Sequence, residues 1–358
     1  MRGRRGNGVL VSIGSVSDAQ PAAPLTGGWG VDSTTGPSED RVQWFQQQFG
    51  ALLANLEVAI QGKRDVLVDV LTCLLSEGHL LLEDVPGVGK TSIARSLAAS
   101  IHGSWARVQF TPDLLPSDVV GTTVYRQAAE QFEFHPGPVF HNLVIADEIN
   151  RSSPKTQSAL LEVMGERQVS VDGHTRPVPR PFMVVATQNP IDLAGTYRLP
   201  EAQTDRFLMR VSVGYPDPID EAAILATHGA ASPVEGLGAV TSVGDVQAMI
   251  GVAEAIAVEP SIQQYIVALA HATRNDPRLR LGVSPRGTLA IQRAARTRAA
   301  AWGRTYVSPD DIKHLAHSVW AHRLVLTTEA DLDAMSAGTI ITDILNRTPV
   351  ALGQGAGT

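Results

Sequence analysis

The chain has 358 residues, 44% apolar and 18% charged, and its 29 Lys and Arg against 36 Asp and Glu leave a net charge of −7. That length admits two or three domains and a large buried core, and the composition is that of a soluble globular protein. The acidic balance argues against a general nucleic-acid binder, and no apolar run reaches the roughly 18 to 20 residues of a membrane helix. Val9 to Ile13 is too short for a signal-peptide core, so the reading is a cytosolic protein. Cys73 is alone, which excludes an internal disulfide and a cysteine metal knuckle and leaves it a core residue of an apolar helical run.

Residues 1–40 are rich in Gly, Ser, Thr and Pro without a hydrophobic period, and they are expected to form an unstructured leader. Residues 348–358 read as a flexible tail in the same way. Trp44, Phe45, Phe49, Leu52, Leu53 and Leu56 recur at helical spacing, and Val66, Val68, Val70, Leu71 and Leu74 predict a second helix ending at Gly78. From His79 to Tyr215 short apolar runs alternate with helical segments: Leu80 to Leu82, Arg107 to Phe110, Leu143 to Ala146, Phe182 to Ala186 and Phe207 to Val213. Buried parallel strands joined by helices write that pattern, which predicts a doubly wound α/β core over 41–215. Past Pro216 amphipathic helices take over, with Ser284-Pro285 and Ser308-Pro309 as N-caps followed by helix-starting prolines, and 216–347 is expected to be a smaller all-α domain.

Three segments carry chemistry. Glu83-Asp-Val-Pro-Gly-Val-Gly-Lys-Thr91 lies between a strand and a helix, where glycines let backbone N–H groups close on phosphate oxygens, Lys90 neutralises charge and Thr91 holds Mg²⁺. Asp84, Val85, Pro86, Gly87, Val88, Gly89, Lys90, Thr91 and Ser92 are therefore the candidate phosphate contacts, with Asp84 standing where the usual motif has its first glycine. An ordinary glycine-rich turn would not explain Gly-Lys-Thr at a helix start. Leu143-Val-Ile-Ala-Asp-Glu148 is an apolar strand ending in two carboxylates: Asp147 suits Mg²⁺ and its waters, and Glu148 suits polarisation of an attacking water. Alone such a pair is a common solvated strand end; beside a phosphate loop it reads as hydrolytic. Phe182 to Asn189 is a third strand closing on a polar side chain, where Asn189 either holds water or γ-phosphate or, with Pro190, simply opens a turn. No His-x3-His spacing exists near His135, His141 or His174, so no metal beyond Mg²⁺ is expected.

Together with Leu199-Pro-Glu-Ala-Gln-Thr-Asp-Arg-Phe207, Asp147-Glu-Ile-Asn-Arg151, Pro154 to Glu162, Ala186 to Pro190 and Ser284-Pro-Arg-Gly287, these segments make the chain resemble the MoxR group of AAA+ ATPases over roughly 41–345. The resemblance implies a P-loop AAA+ three-layer core with a parallel sheet and β-hairpin inserts, an all-α lid, and ATP bound between core and lid. It makes Asn189 the sensor 1 residue, Arg206 the arginine finger that reaches a neighbouring subunit's ATP, and Arg286 the sensor 2 residue. Arg206 could instead pair with Asp205 or Glu201, and Arg286 could be one more surface arginine in the crowded stretch from Arg274 to Arg304. Arg151 is a second finger candidate, and Gln61 and Gly62 sit where the family packs adenine. Arg198 and Thr204 occupy places where proline and an apolar residue are expected.

Two inserts fit the same group, either as natural contacts for a substrate or, for the second above all, as simple β decoration. Thr123-Val-Tyr and Phe132-Glu-Phe134 predict one hairpin within 121–140, and Val169 and Val171 facing Val178 across Asp172-Gly173 predict another within 166–180. The resemblance implies an ATP-hydrolysing, chaperone-like motor that remodels or activates a client, working as a homo-hexamer with a partner that carries a von Willebrand factor A domain. Alternatives are a magnesium-chelatase-like or Rubisco-activase-like motor, a scaffold that binds ATP without useful hydrolysis, and a DNA translocase. The last lacks a basic domain, since the leader, core and remainder carry −1, −3 and −3.

Overall fold

Alternation along the buried strands decides how the core is layered. Leu80 and Leu82, Leu143 and Ile145, and Met183 and Val185 join one apolar cluster, while Leu81, Val144, Ala146, Val184 and Ala186 join a second, as a period of two requires for a sheet covered on both faces. The computed structural model describes residues 36–84, 89–189, 197, 199–215, 217–219, 221–222 and 233–350, and the backbone of 11–14.

In chain order the elements begin with strand β1 (Val11–Gly14), helix α1 (Glu39–Ala59) and helix α2 (Arg64–Leu75). β2 (Leu80–Glu83) leads to α3 (Lys90–Ser100), β3 (Trp105–Gln109) and the short α4 (Pro116–Val120). A hairpin of β4 (Gly121–Arg126) and β5 (Gln131–Pro136) precedes β6 (Leu143–Asp147) and α5 (Pro154–Glu166). A second hairpin, β7 (Gln168–Val171) and β8 (His174–Pro177), is followed by β9 (Met183–Gln188), α6 (Glu201–Thr204) and β10 (Met209–Val211). The sheet order is β1-β3-β6-β9-β2-β10, with β1 antiparallel to β3 and every other pair parallel. β2 is flanked by β9 and β10, so the carboxyl ends of β2, β6 and β9 open on one edge. There the Gly89 to Ser92 segment, Asp147-Glu148 and Asn189 meet.

The remaining elements are α7 (Val243–Ala255), α8 (Pro260–Arg274), β11 (Leu279–Leu281), α9 (Pro285–Ala301), α10 (Pro309–Trp320), β12 (Val325–Leu326), α11 (Thr328–Leu332) and α12 (Ala337–Arg347). The Ser284 hydroxyl accepts from the Gly287 N–H at 3.2 Å, and the Ser308 N–H donates to Asp311 at 2.8 Å, so both predicted starts are capped helices. Val246, Ile250, Ile291, Ala294, Ile312 and Leu315 belong to the same apolar cluster as Phe45, Leu52, Leu71 and Leu80. Lid and core therefore share one hydrophobic interior on the α1 side of the sheet. Cys73 lies in it, fully buried, and burial pushes its thiol far above the ordinary range.

Four expectations change in detail. Val11–Gly14, inside the leader, is an edge strand in register with Trp105 to Val108; the rest of 1–35 and residues 351–358 lie outside the described residues. α2 ends at Leu75 rather than Gly78, where a Cβ would stand 2.3 Å from a Leu208 methyl. The lid holds a small antiparallel pair, β11 with β12, too short to leave a periodic signal. In the second hairpin Val169 pairs with Arg176 and Val171 with His174; Val178 follows the strand, its N–H donating to the Arg167 carbonyl at 3.1 Å.

Candidate active site

Gly89 takes φ +85° as the N-cap of α3, a left-handed turn that glycine allows without strain, and it aims the first turn of α3 at the strand ends. Val85, Pro86, Gly87 and Val88, and with them the wall of the predicted phosphate loop, lie outside the described residues. On either side of them the geometry is defined. The Lys90 ammonium donates to the Asp84 carbonyl at 2.6 Å and to the Gln188 carbonyl at 3.4 Å, bridging the ends of β2 and β9. Burial lowers its pKa, while the carboxylates of Asp84, Asp147, Glu148 and Glu83 pull it back up.

Asp84 shows what a carboxylate does at the glycine position. Its Oδ2 accepts from the Ser212 hydroxyl at 2.9 Å and the Gly214 N–H at 2.5 Å, pinning the start of the loop to the chain beyond β10. The Lys63 ammonium donates to the Tyr215 carbonyl at 2.7 Å and lies 3.9 Å from the position of a Gly214 Cβ. Gln61 and Gly62 directly precede Lys63, with Gly62 at φ +69° making the turn between α1 and α2.

Asp147 is 5% exposed at the end of β6. Its Oδ1 accepts from the Thr187 hydroxyl at 3.2 Å, and its Oδ2 from Arg107 Nε at 2.6 Å and the Thr91 hydroxyl at 3.4 Å. Hard oxygens from Thr91 and Asp147 thus face each other at the head of α3, a donor pair suited to Mg²⁺ held otherwise by phosphate and water. Among the described residues no group of three or more His, Cys, Asp or Glu could hold a metal. Glu148 sits at φ +55°, an unfavourable conformation for a side chain of its kind, costing on the order of 1–3 kcal/mol. Its N–H donates to the Thr187 hydroxyl at 2.9 Å, and its Oε2 accepts from Gln109 at 2.9 Å and from Arg151 at 2.7 Å. Asn189, 9% exposed, follows β9 on the same edge. Thr91 and Ser92, in the first turn of α3, are half-buried.

The structure separates Arg206 and Arg286 from this group. The Leu208 N–H donates to the His79 carbonyl at 2.8 Å, so Arg206 lies by the start of β2. That strand is four residues long, which puts Arg206 on the order of 13 Å from the phosphate-loop edge. Arg206 pairs with neither Asp205 nor Glu201: its Nη1 donates to the Leu161 carbonyl at 2.6 Å and covers Gly165 of α5, where a Cβ would stand 2.3 Å from that nitrogen. Arg286, exposed in the first turn of α9, lies two residues after Ser284, whose hydroxyl reaches Asp205 at 3.3 Å. Its charge is felt by His79, Arg293 and Arg323. His79 is neutral there, its pKa brought down to about 4 chiefly by burial, with its ring between the Met164 carbonyl and the Val184 N–H. Thr204 is half-buried in α6, and its hydroxyl donates to the Glu201 carbonyl at 2.9 Å; Arg198 lies outside the described residues.

Sequence reasoning missed Arg107, Gln109 and Thr187, all of which touch the two carboxylates. A trace was present: Arg107 and Gln109 are polar residues two apart in a strand whose other neighbours are apolar, and so share a face.

Residues 79–209 match the ATPase family associated with various cellular activities (AAA), and residues 271–344 match the AAA lid domain. The chain is 45% identical to the uncharacterised Bacillus subtilis protein YeaC, over 86% of this chain and 96% of that protein. It is 44% identical to the Mycobacterium tuberculosis chaperone MoxR1, over 82% and 80%, and 32% identical to protein MoxR of Methylorubrum extorquens, over 75% and 84%. A solved structure from Cytophaga hutchinsonii, described as a candidate ATPase, superposes with a TM-score of 0.81 at 35% identity and covers 87% of this chain and 97% of its own.

Proposed function

Because the chain belongs to the MoxR family of AAA+ ATPases, we propose that it hydrolyses ATP as a ring-forming, chaperone-like motor that remodels or activates a client protein. The observation that carries this reading is the meeting of Lys90, Thr91, Asp147 and Glu148 at one sheet edge while Arg206 and Arg286 occupy the other. Lys90 leaves its two carbonyls to neutralise the β- and γ-phosphates, and Asn189 orients the γ-phosphate or the attacking water. Glu148, released from Gln109 and Arg151, accepts the proton of that water. Thr91 and Asp147 would hold Mg²⁺, which would supply positive charge against the phosphate oxygens. Gln61 and Gly62 would border the base.

Arg206 and the helix start that carries Arg286 lie away from that edge in this chain, and both arginines are read as groups offered to the ATP of a neighbour, in a homo-hexamer. A guanidinium supplied across an interface couples turnover to assembly and is worth about 10³-fold or more in rate. Arg151, held on Glu148 of its own chain, is the weaker finger candidate. The client side is assigned to the hairpins. Tyr125 and Phe132 are exposed with ring centroids 5.2 Å apart on the first, and Arg176 of the second lies over Phe134 of the first at 4.0 Å, so the inserts project together. The partner is proposed to carry a von Willebrand factor A domain, as the resemblance implies. Relatives named MoxR favour this reading over the chelatase-like and activase-like alternatives. The site is proposed to work in the cytoplasm; among the described residues no helix is long and apolar enough to cross a membrane.

Nucleotide binding and turnover of two variants test the proposal. Lys90→Ala should lose ATP binding, and Glu148→Gln should bind ATP but turn it over at least about 10²-fold more slowly. Equal nucleotide affinity for wild type and Lys90→Ala would sink the reading, and steady-state hydrolysis by wild type separates a motor from a scaffold.

A further inference from the structure

The buried carboxylate of Asp147 must be compensated, and Arg107 supplies the charge. The geometry is unequal at its two oxygens. Oδ1 is held by Thr187 of β9, the next strand, which fixes how the carboxylate is turned. Oδ2 is the oxygen that faces the head of α3, since the Thr91 hydroxyl donates to it at 3.4 Å, and it is this oxygen that Arg107 Nε holds at 2.6 Å. A cation bound by Thr91 and Asp147 and the Arg107 guanidinium therefore draw on one carboxylate oxygen. The pair is also built to open: the Asp147 side chain is 6% exposed, whereas the Arg107 side chain keeps 42% of its surface in solvent and has a way out.

We propose that Arg107 is a place-holder for the divalent cation at Asp147. It neutralises the buried carboxylate while no cation is there and competes with the cation for Oδ2, so that loading of metal–nucleotide is opposed, and unloading assisted, by the same ion pair. This rests on the ATP site proposed above. Removal of the guanidinium frees Oδ2 for the cation and leaves a buried charge uncompensated in its absence, so it has opposite effects on the two states. A merely structural arginine would weaken both alike.

The experiment uses the full chain as wild type, Arg107→Met and Arg107→Lys, with Mn²⁺ as the probe. Free Mn²⁺ is followed by electron paramagnetic resonance at saturating ADP, and the thermal midpoint is read in EDTA and again with Mn²⁺ and ADP. Arg107→Met should bind Mn²⁺ about tenfold more tightly than wild type, with Arg107→Lys in between. In EDTA the Met variant should melt below wild type, and Mn²⁺ with ADP should close most of that gap. Unchanged or weaker Mn²⁺ affinity in both variants, or a midpoint deficit equal in both conditions, overturns the place-holder. The lysine variant keeps a positive charge, so it decides the question should the Met variant fail to fold. If wild type itself takes up no Mn²⁺ with ADP, the ATP site falls, and the role of Arg107 with it.

Discussion

Arg323, its side chain 3% exposed in the single turn that follows α10, donates Nε to Asp205 Oδ1 at 2.7 Å and so ties the lid to the residue immediately before Arg206. The same guanidinium donates to the carbonyls of Asp205, Phe207, Leu208 and Val319, and burial holds its pKa below the ordinary value even with Asp205 beside it. The Ser284 hydroxyl, from the cap of the Arg286 helix, reaches Asp205 as well. One carboxylate therefore fastens the segment before Arg206 to the start of α9 and to the turn that follows α10. The lid is thereby joined directly to the segment that carries the proposed finger.

Asp205→Asn keeps the shape and removes the charge, leaving Arg323 buried among backbone carbonyls, the His322 ring and a neutral amide. Breaking one side of such a pair costs about 3–5 kcal/mol when both partners are deeply buried; with Asp205 partly exposed, the lower end of that range is expected. Urea unfolding of the wild type and variant reads it as a drop in midpoint at unchanged slope. A midpoint within experimental scatter of wild type would mean that the carbonyls suffice and that the lid is anchored elsewhere.

What was legible in the sequence depended on whether the chemistry is contiguous. Lys90 and Thr91 follow one another at one helix start, and Asp147-Glu148 ends a strand run, so these candidate residues stand out in the sequence. The hairpins were legible for the same local reason, alternation broken by a turn pair, although the exact partners of Val169 and Val171 were not. Arg107 could not be assigned, because its role depends on β3 lying beside β6 with Gln109 opposite Asp147, and strand order is not a local property. Arg323 was hidden more deeply, 118 positions from the carboxylate it holds. Asp84 was visible as a departure from the usual motif, but its bonds to Ser212 and Gly214 come only with the fold.

The proposed division of the site between two subunits predicts complementation. Glu148→Gln and Arg206→Ala subunits should each hydrolyse ATP poorly. Mixed in equal amounts and allowed to exchange, they form some interfaces with an intact Glu148 on one side and an intact Arg206 on the other. About a quarter of interfaces are then complete, and recovery to roughly that share of wild-type turnover is expected. Strict absence of recovery in demonstrably mixed rings would place Arg206 in its own subunit's chemistry or outside the chemistry altogether.

Gly165 offers a separate handle on the same arginine. A methyl group there would collide with Arg206 Nη1, which is the free end of a flexible side chain and can move away. The helix itself favours alanine over glycine by about 1 kcal/mol. Gly165→Ala should therefore leave the urea midpoint unchanged or slightly raised while expelling Arg206 from the Leu161 carbonyl. A docked pose that matters for turnover would show itself as a severalfold change in ATPase rate without loss of stability. Unaltered rate and midpoint together would make the Leu161 contact incidental.

Asp69 in α2 gives the fold a pH dependence whose sign can be worked out. Burial pushes its carboxyl up to about 6 against the partial help of Arg298 and the Ser318 hydroxyl, and its Oδ1 has no hydrogen-bond partner. An acid whose pKa is higher folded than unfolded binds its proton more tightly in the folded state. Its contribution is complete below the unfolded value near 3.8 and is lost as pH rises through about 6. Above that pH the charged group is a burden on the contact between α2 and α10, which Asn would relieve while keeping the Ser318 bond. Asp69→Asn should thus gain stability relative to wild type as pH rises, by on the order of 1 kcal/mol between pH 5 and pH 7.5. Urea midpoints of both proteins at the two pH values measure this difference directly. A constant offset across that interval would show that Asp69 ionises in the folded chain as it does in the unfolded one.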